Sequence, residues 1–138
     1  MTQRWSRDEG LKVIEGATVE RMRRHWEDGW NRNDADLICE PFAPDVVFSS
    51  PFVPRIVGDP EVWEIRGYDA VRQYVVDSFE RATHGIRYRC DEAHAGTDCV
   101  ILTYTVLHPA GERLGVDLMR LDDRGQVVEW RCHYPFEA

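Results

Sequence analysis

The sequence predicts a single α+β domain in which three helices pack on one face of a curved antiparallel sheet and enclose one apolar pocket. Three observations carry this expectation. Apolar residues recur at helical spacing through much of the first half of the chain. The second half reads as strand, short turn, strand, repeated to the end. The chain has 138 residues, 43% of them apolar, enough to bury a core without disulfide or metal staples. Residues 1–138 are read as one domain, with 1–16 an N-terminal extension and 17–134 the core.

Each element follows in order. Ser6 and Glu9 have capping-box spacing. Gly10 and Gly16 leave open whether 6–33 forms one helix or two. The main helix is placed at about 17–33, with Val19, Met22, Trp26 and Trp30 three or four residues apart. Asp34 can cap a short second helix carrying Leu37, Ile38 and Phe42, which Pro44 stops. Val46 to Phe52 is β-branched and aromatic and reads as a strand. The stretch 52–66 holds Pro54 and Pro60 and shows no period, so it is expected to be a long loop of the kind that serves as a lid or binding loop. Gly67, Tyr68 and Asp69 open a third helix with Val71, Tyr74, Val75 and Phe79 on one face. It is expected to end near Thr83 to Gly85, with His84 in its last turn and Gly85 after it. Four strands follow: Ile86–His94, Cys99–His108, Leu114–Asp122 and Gln126–Tyr134, joined by short turns and therefore antiparallel. The helices must then cover one face of the sheet.

Composition excludes several functions. The net charge is −8 and the acidic residues are spread along the chain, which argues against nucleic acid and against an anionic membrane surface. Arg21, Arg23 and Arg24 sit among Glu20, Glu27 and Asp28 and read as a solvated helix face. The polar start has no secretory core, and the longest uncharged run, Cys99 to Gly111, is too short to span a bilayer as a helix. A reduced, cytoplasmic protein is expected. Cys39, Cys90, Cys99 and Cys132 hold no metal-ligand pair, and the five histidines have no ligand spacing, so neither metal nor cofactor is expected. His25 should point away from the face of Trp26, and His133 should lie on the outer face of the last strand.

Alternation along Leu114 to Leu121 places Gly115, Asp117, Met119 and Leu121 on one face and Leu114, Val116, Leu118 and Arg120 on the other. Both faces are mostly apolar. A sheet covered by helices on one side is normally polar on the other, so a second copy of the chain is the expected cover, as a homodimer through the outer face. Asp117 stands out. On an apolar wall its carboxyl would have a raised pKa and could act as a neutral donor or as a base near neutral pH. On an exposed strand, or paired with an arginine, it would be an ordinary acidic residue. Spacing leaves both roles open. The same alternation offers Phe48 and Ser50 from the first strand, Tyr104 from the second meander strand, Met119 beside Asp117, and Trp130, Cys132 and Tyr134 from the last. Trp26, Trp30 and Tyr74 join them from the helices. For most of these a plain core role is the simpler one. Trp26, Trp130 and Tyr134, large aromatics with a polar handle, suit a flat, partly polar ligand.

The stretch Gly115 to Trp130, with Asp117, Arg120, Gly125 and Val127, resembles a hairpin of the nuclear transport factor 2-like superfamily, which includes SnoaL-like polyketide cyclases and ketosteroid isomerases. Asn31 to Asp34, Ala43 to Phe48 and Gly67 to Val71 are similar to further family motifs in the family's order. The resemblance spans about Val19 to Tyr134. It implies a cone-shaped barrel, of the cystatin-like kind, open at one end. It also implies that Asp117 faces the cavity, at the position of the isomerase carboxyl that stays protonated and donates to an oxyanion (a property of that isomerase). The isomerases' other catalytic groups are not matched. Ser50 stands where their general base would be, and Trp26 replaces their oxyanion tyrosine; an indole N–H donates but transfers no proton. The epoxide hydrolase relatives need an Arg and two Asp, and here Thr103, Thr105 and Cys132 fall in those regions. SnoaL-like cyclases work with a single acid/base Asp. The resemblance therefore implies a cofactor-independent cyclase, isomerase or dehydratase acting on an apolar cyclic or aromatic molecule. Its alternative is a non-catalytic ligand-binding or interaction domain of the same fold.

Overall fold

The computed structural model describes residues 3–82 and 84–136. Thr83, part of the expected end of the third helix, lies outside the described residues. Ser6 and Glu9 form their capping box on a single 3-10 turn, Arg7–Glu9, closed by Gly10 in the left-handed region at φ 80°. The first long helix, α1, is separate and spans Gly16–Arg32. Its apolar stripe buries Met22 and Trp26, and Gly29 lets α2 (Ala35–Cys39) approach so closely that a Cβ there would collide with Ile38. Asp34 caps α2 by accepting from the Leu37 N–H at 3.0 Å.

Among the described residues there are four α-helices rather than three. The stretch expected to be a loop contains α3 (Val53–Val57) and the short strand β2 (Glu64–Arg66). Pro54 lies in the first turn of α3, where proline starts a helix rather than breaking one. The preceding strand, β1, runs over Phe42–Ser49, so Phe42 and Pro44 belong to it and not to the end of α2. Helix α4 spans Tyr68–Arg81 and ends at Ala82, whose backbone is extended. Arg81, not His84, is the cation of its last turn, and Gly85, at φ 85°, serves the turn that follows.

The remaining strands are β3 (Arg87–Ala95), β4 (Cys99–His108), β5 (Gly111–Leu121) and β6 (Val127–His133). They form a six-stranded sheet in the order β2-β1-β6-β5-β4-β3. The meander pairs antiparallel, while β1 joins β6 in parallel. The curved sheet does not close on itself, because β2 and β3 are its free edges. The helices cover its concave face, and Met22, Phe48, Val71, Leu102 and Trp130 meet there as the core. No helix among the described residues is long and apolar enough to cross a membrane.

On the convex face, β5 and β6 carry charge as well as apolar residues. Arg120 pairs with Glu129 at 2.7 Å, and Arg131 reaches both Glu129 at 3.4 Å and Glu64 at 2.7 Å. His133 is exposed there. His25 turns away from the core to meet the Leu37 carbonyl and Glu40.

Candidate functional site

The concave sheet and its helices enclose a cavity of about 540 Å³, within the usual range for a small-molecule site. Its floor is aromatic. Phe48 and Trp130 pack as tilted rings 4.4 Å apart between centroids, Phe48 and Tyr74 at 4.8 Å, and Trp26 and Tyr104 at 4.4 Å.

Asp117 lies in that floor, only 1% exposed. Strand alternation turns it inward on β5, opposite Leu102 of β4 and Cys132 of β6. Its neighbours are donors brought in from three elements. Trp26 Nε1 of α1 and Trp130 Nε1 of β6 both donate to Oδ2, at 2.9 and 2.8 Å, and the Tyr104 hydroxyl of β4 donates to Oδ1 at 3.0 Å. Cys132 sits directly across the β5–β6 pairing from the carboxyl. Gly115 makes the tyrosine contact possible. It pairs with Tyr104 across β4 and β5, and a Cβ there would fall on the Tyr104 ring. Because Gly115 has no side chain, the ring lies flat over β5 and reaches Asp117 two residues along.

Two effects oppose each other at Asp117. Burial, the larger, pushes the carboxyl above the ordinary aspartate range, while the Trp130, Cys132, Trp26 and Tyr104 donors favour its ionised form. The geometry also fixes where a proton can sit. Indole N–H groups only donate, so Oδ2 remains an acceptor in either state. A proton on the carboxyl must therefore lie on Oδ1, facing a tyrosine hydroxyl that can turn to accept it. Tyr134, Ser50 and Tyr74 bring further hydroxyls to the wall of the same cavity. Burial raises the Tyr104 and Tyr134 hydroxyls, raises Tyr74 to about 12, and raises the Cys132 thiol, so each of these keeps its proton near neutral pH.

Most residues singled out from sequence line this cavity: Trp26, Trp30, Phe48, Ser50, Tyr74, Tyr104, Asp117, Trp130, Cys132 and Tyr134. Met119 does not. It is 3% exposed and packed in the core, at the level of Val100 and Trp130, so it faces inward without reaching the cavity. Trp30 lines the wall, but its indole N–H is buried with no partner. Sequence reasoning missed Phe52 just before α3, Arg55 and Ile56 of α3, Arg81 at the end of α4, and Arg113 on β5. Among the described residues no group of three His, Cys, Asp or Glu could hold a metal ion.

Comparison with known proteins follows the same lines. The family profile for the SnoaL-like domain matches residues 22–130. The search of curated proteins found no match. Among solved structures, a SnoaL-like protein from Burkholderia thailandensis superposes with a TM-score of 0.75 at 26% identity, over 89% of this chain and 99% of that one. An NTF2-like protein from Mesorhizobium loti gives 0.64 at 23% identity, over 97% and 98%. A crystal structure of TerC co-crystallized with polyporic acid gives 0.65 at 16% identity, over 86% and 91%.

Proposed function

We propose, for a chain that belongs to the SnoaL-like domain family, that the cavity binds a flat, apolar, cyclic or aromatic molecule and that Asp117 exchanges a proton with it through Tyr104. One observation carries this reading: a buried carboxyl, with its pKa raised, has a tyrosine hydroxyl on one oxygen and two indoles on the other. Oδ1 and Tyr104 form the exit for the proton. Trp26 and Trp130 hold the carboxyl in place, and Tyr134, Ser50 and Tyr74 supply hydroxyls that position an oxygen of the ligand. The reaction class is proton transfer next to a carbonyl, as a cofactor-independent isomerase, cyclase or dehydratase would need. Ser50 hydrogen-bonds no base among the described residues and does not start the reaction.

Hydrogen–deuterium exchange at the carbon next to the carbonyl of cyclic and aromatic ketones, followed by proton NMR, tests this. Exchange catalysed by the wild type should be lost in Asp117→Asn and strongly reduced in Tyr104→Phe. Unchanged exchange in Asp117→Asn would remove the catalytic role.

A second reading has its own support. Both oxygens of Asp117 already accept from protein donors, as a structural carboxylate would. Ligand binding with no exchange in any ketone tried would favour a non-catalytic ligand-binding domain.

The outer sheet face carries Ile101, Val116 and Leu118 side by side on β4 and β5, all half-buried, and supports a homodimer there. Sedimentation should then show a dimer, with Leu118→Glu shifting it to monomer. Free thiols at Cys39, Cys90, Cys99 and Cys132 fit a reducing cytoplasm.

A further inference from the structure

The cavity wall changes character from floor to mouth. The floor is made of buried aromatic rings and one carboxyl. At the mouth stand three exposed arginines from separate elements, Arg55 of α3, Arg81 of α4 and Arg113 of β5, with half-buried His108 at the end of β4. The chain has 25 acidic and 17 basic residues, yet Asp117 is the only acidic residue lining the cavity among the described residues.

Several arginines elsewhere find carboxylates, though among the described residues Arg21, Arg24, Arg32, Arg87 and Arg124 form no such pair. Arg72 pairs with Asp36, Arg89 with Asp91, Arg120 with Glu129 and Arg131 with Glu64. Among the described residues no such pair forms for Arg55, Arg81 or Arg113. Arg81 instead donates from Nη1 to the Arg55 backbone carbonyl at 3.4 Å, which sets these two rim residues side by side. The position of Arg81 in the last turn of α4 suits the helix dipole and accounts for that residue alone. It does not account for cations from a second helix and a strand converging on the same opening. Like charges gathered without a counter-ion attract an anion.

We propose that the arginine rim, Arg55, Arg81 and Arg113, selects ligands bearing a carboxylate at the end remote from Asp117. The preferred ligand class is thus an aromatic carboxylic acid with a neutral oxygen at its other end. The inference rests on the cavity being the binding site. Polarity fixes the orientation. A carboxylate driven to the floor would give up its water among buried aromatic rings, beside a carboxyl that has no cation to offer it. At the mouth it meets planar guanidinium forks that match its shape. The ring body then lies against Trp26, Phe48 and Trp130, and the neutral oxygen faces the hydroxyls of Tyr104 and Tyr134.

A matched pair of probes tests this by isothermal titration calorimetry: 6-hydroxy-2-naphthoic acid, and 6-hydroxy-2-naphthamide, the same shape without the charge. The wild type should bind the acid about tenfold more tightly than the amide at low salt, the size expected for partly exposed charge-assisted contacts. The triple variant Arg55→Gln, Arg81→Gln, Arg113→Gln should lose that preference and still bind the amide as the wild type does, which also shows that its cavity is folded. Arg124→Gln, in the turn between β5 and β6, should keep the preference. Equal binding of acid and amide by the wild type, or a preference that survives in the triple variant, overturns the rim's role while leaving the cavity as the site. Binding of neither probe overturns the cavity reading and the rim with it.

Discussion

Strands β5 and β6 place carboxylates on their two faces, and the two faces treat them in opposite ways. Asp117 of β5 points into the cavity floor, where burial raises its pKa against the pull of its donors. Glu129 of β6 points outward, where the Arg120 guanidinium, with help from Arg131, holds its carboxyl below the ordinary glutamate value. The strands, the pairing and the group are shared; only the face differs. A guanidinium in water makes a carboxylate a stronger acid, and a few neutral donors in a dry cavity do not offset the loss of water. Sequence alternation sorts residues between these two environments, and so decides which acid is available for chemistry.

The largest expected effect comes from removing the floor's acceptor. Asp117→Leu leaves the Trp26, Trp130 and Tyr104 donors unpaired in a buried site, and should lower stability by about 3 kcal/mol or more in urea denaturation. Asp117→Asn keeps the shape. Its carbonyl can accept from both indoles while its amide donates to Tyr104, so its loss should stay below about 1.5 kcal/mol. A loss as large as that of Asp117→Leu would mean that the negative charge, not the acceptor geometry, holds the floor together.

Next comes the residue that seats the tyrosine. Gly115→Ala puts a methyl group into the Tyr104 ring and should cost about 2 kcal/mol through overpacking. It should also displace the Tyr104 hydroxyl from Asp117, seen as a change in tyrosine absorbance that Tyr104→Phe abolishes. If Gly115→Ala is as stable as the wild type, the close seating of Tyr104 is not required.

The pH dependence of stability separates the two faces by sign. Asp117 binds its proton more tightly folded than unfolded. Its contribution is therefore fully present below the ordinary aspartate value, near 3.9, and declines as pH rises from there through its raised folded value. Glu129 behaves the other way. Its contribution is present above the ordinary glutamate value and is lost as pH falls through its lowered folded value. Subtracting the Asp117→Asn profile from that of the wild type should leave a curve that falls with rising pH. The same subtraction with Glu129→Gln should leave one that rises. Two differences of the same sign would contradict the contrast. The smallest effect is Glu129→Gln itself, a half-buried surface ion pair worth about 0.5 kcal/mol at neutral pH in the same denaturation assay, and less in high salt.

The face of most strand residues was legible from alternation, which is why Asp117, Trp130, Cys132 and Tyr134 emerge from the sequence as neighbours; Leu114, expected on the outer face, instead lines the cavity beside Arg113, near the start of β5. The depth of each residue was not. Met119 shares the inward face of Asp117 yet packs below the cavity, because alternation specifies a side of the sheet and not a distance from the opening. The rim was hidden for local reasons. Arg55 sits in α3, five residues long and too short to show a period, next to prolines that read as loop. Arg113 precedes the apolar run at Leu114 that marked the strand, although β5 begins at Gly111. The contact between Gly115 and Tyr104 depends on the register between β4 and β5, which no single strand carries. The family resemblance located the buried carboxyl; the indole and tyrosine donors around it are specific to these side chains in this packing.

The central claim is that Asp117 is an acid raised by burial, with its proton on the oxygen facing Tyr104. Carbon-13 NMR of the Asp117 side-chain carboxyl, followed across pH in the free protein and assigned with Asp117→Asn, tests this most directly. The account predicts a titration midpoint clearly above the ordinary aspartate value of about 3.9, moving further up in Tyr104→Phe as a donor to the ionised form is lost. A midpoint at or below that value would show that the four donors outweigh burial, making Asp117 a structural carboxylate with no proton to give.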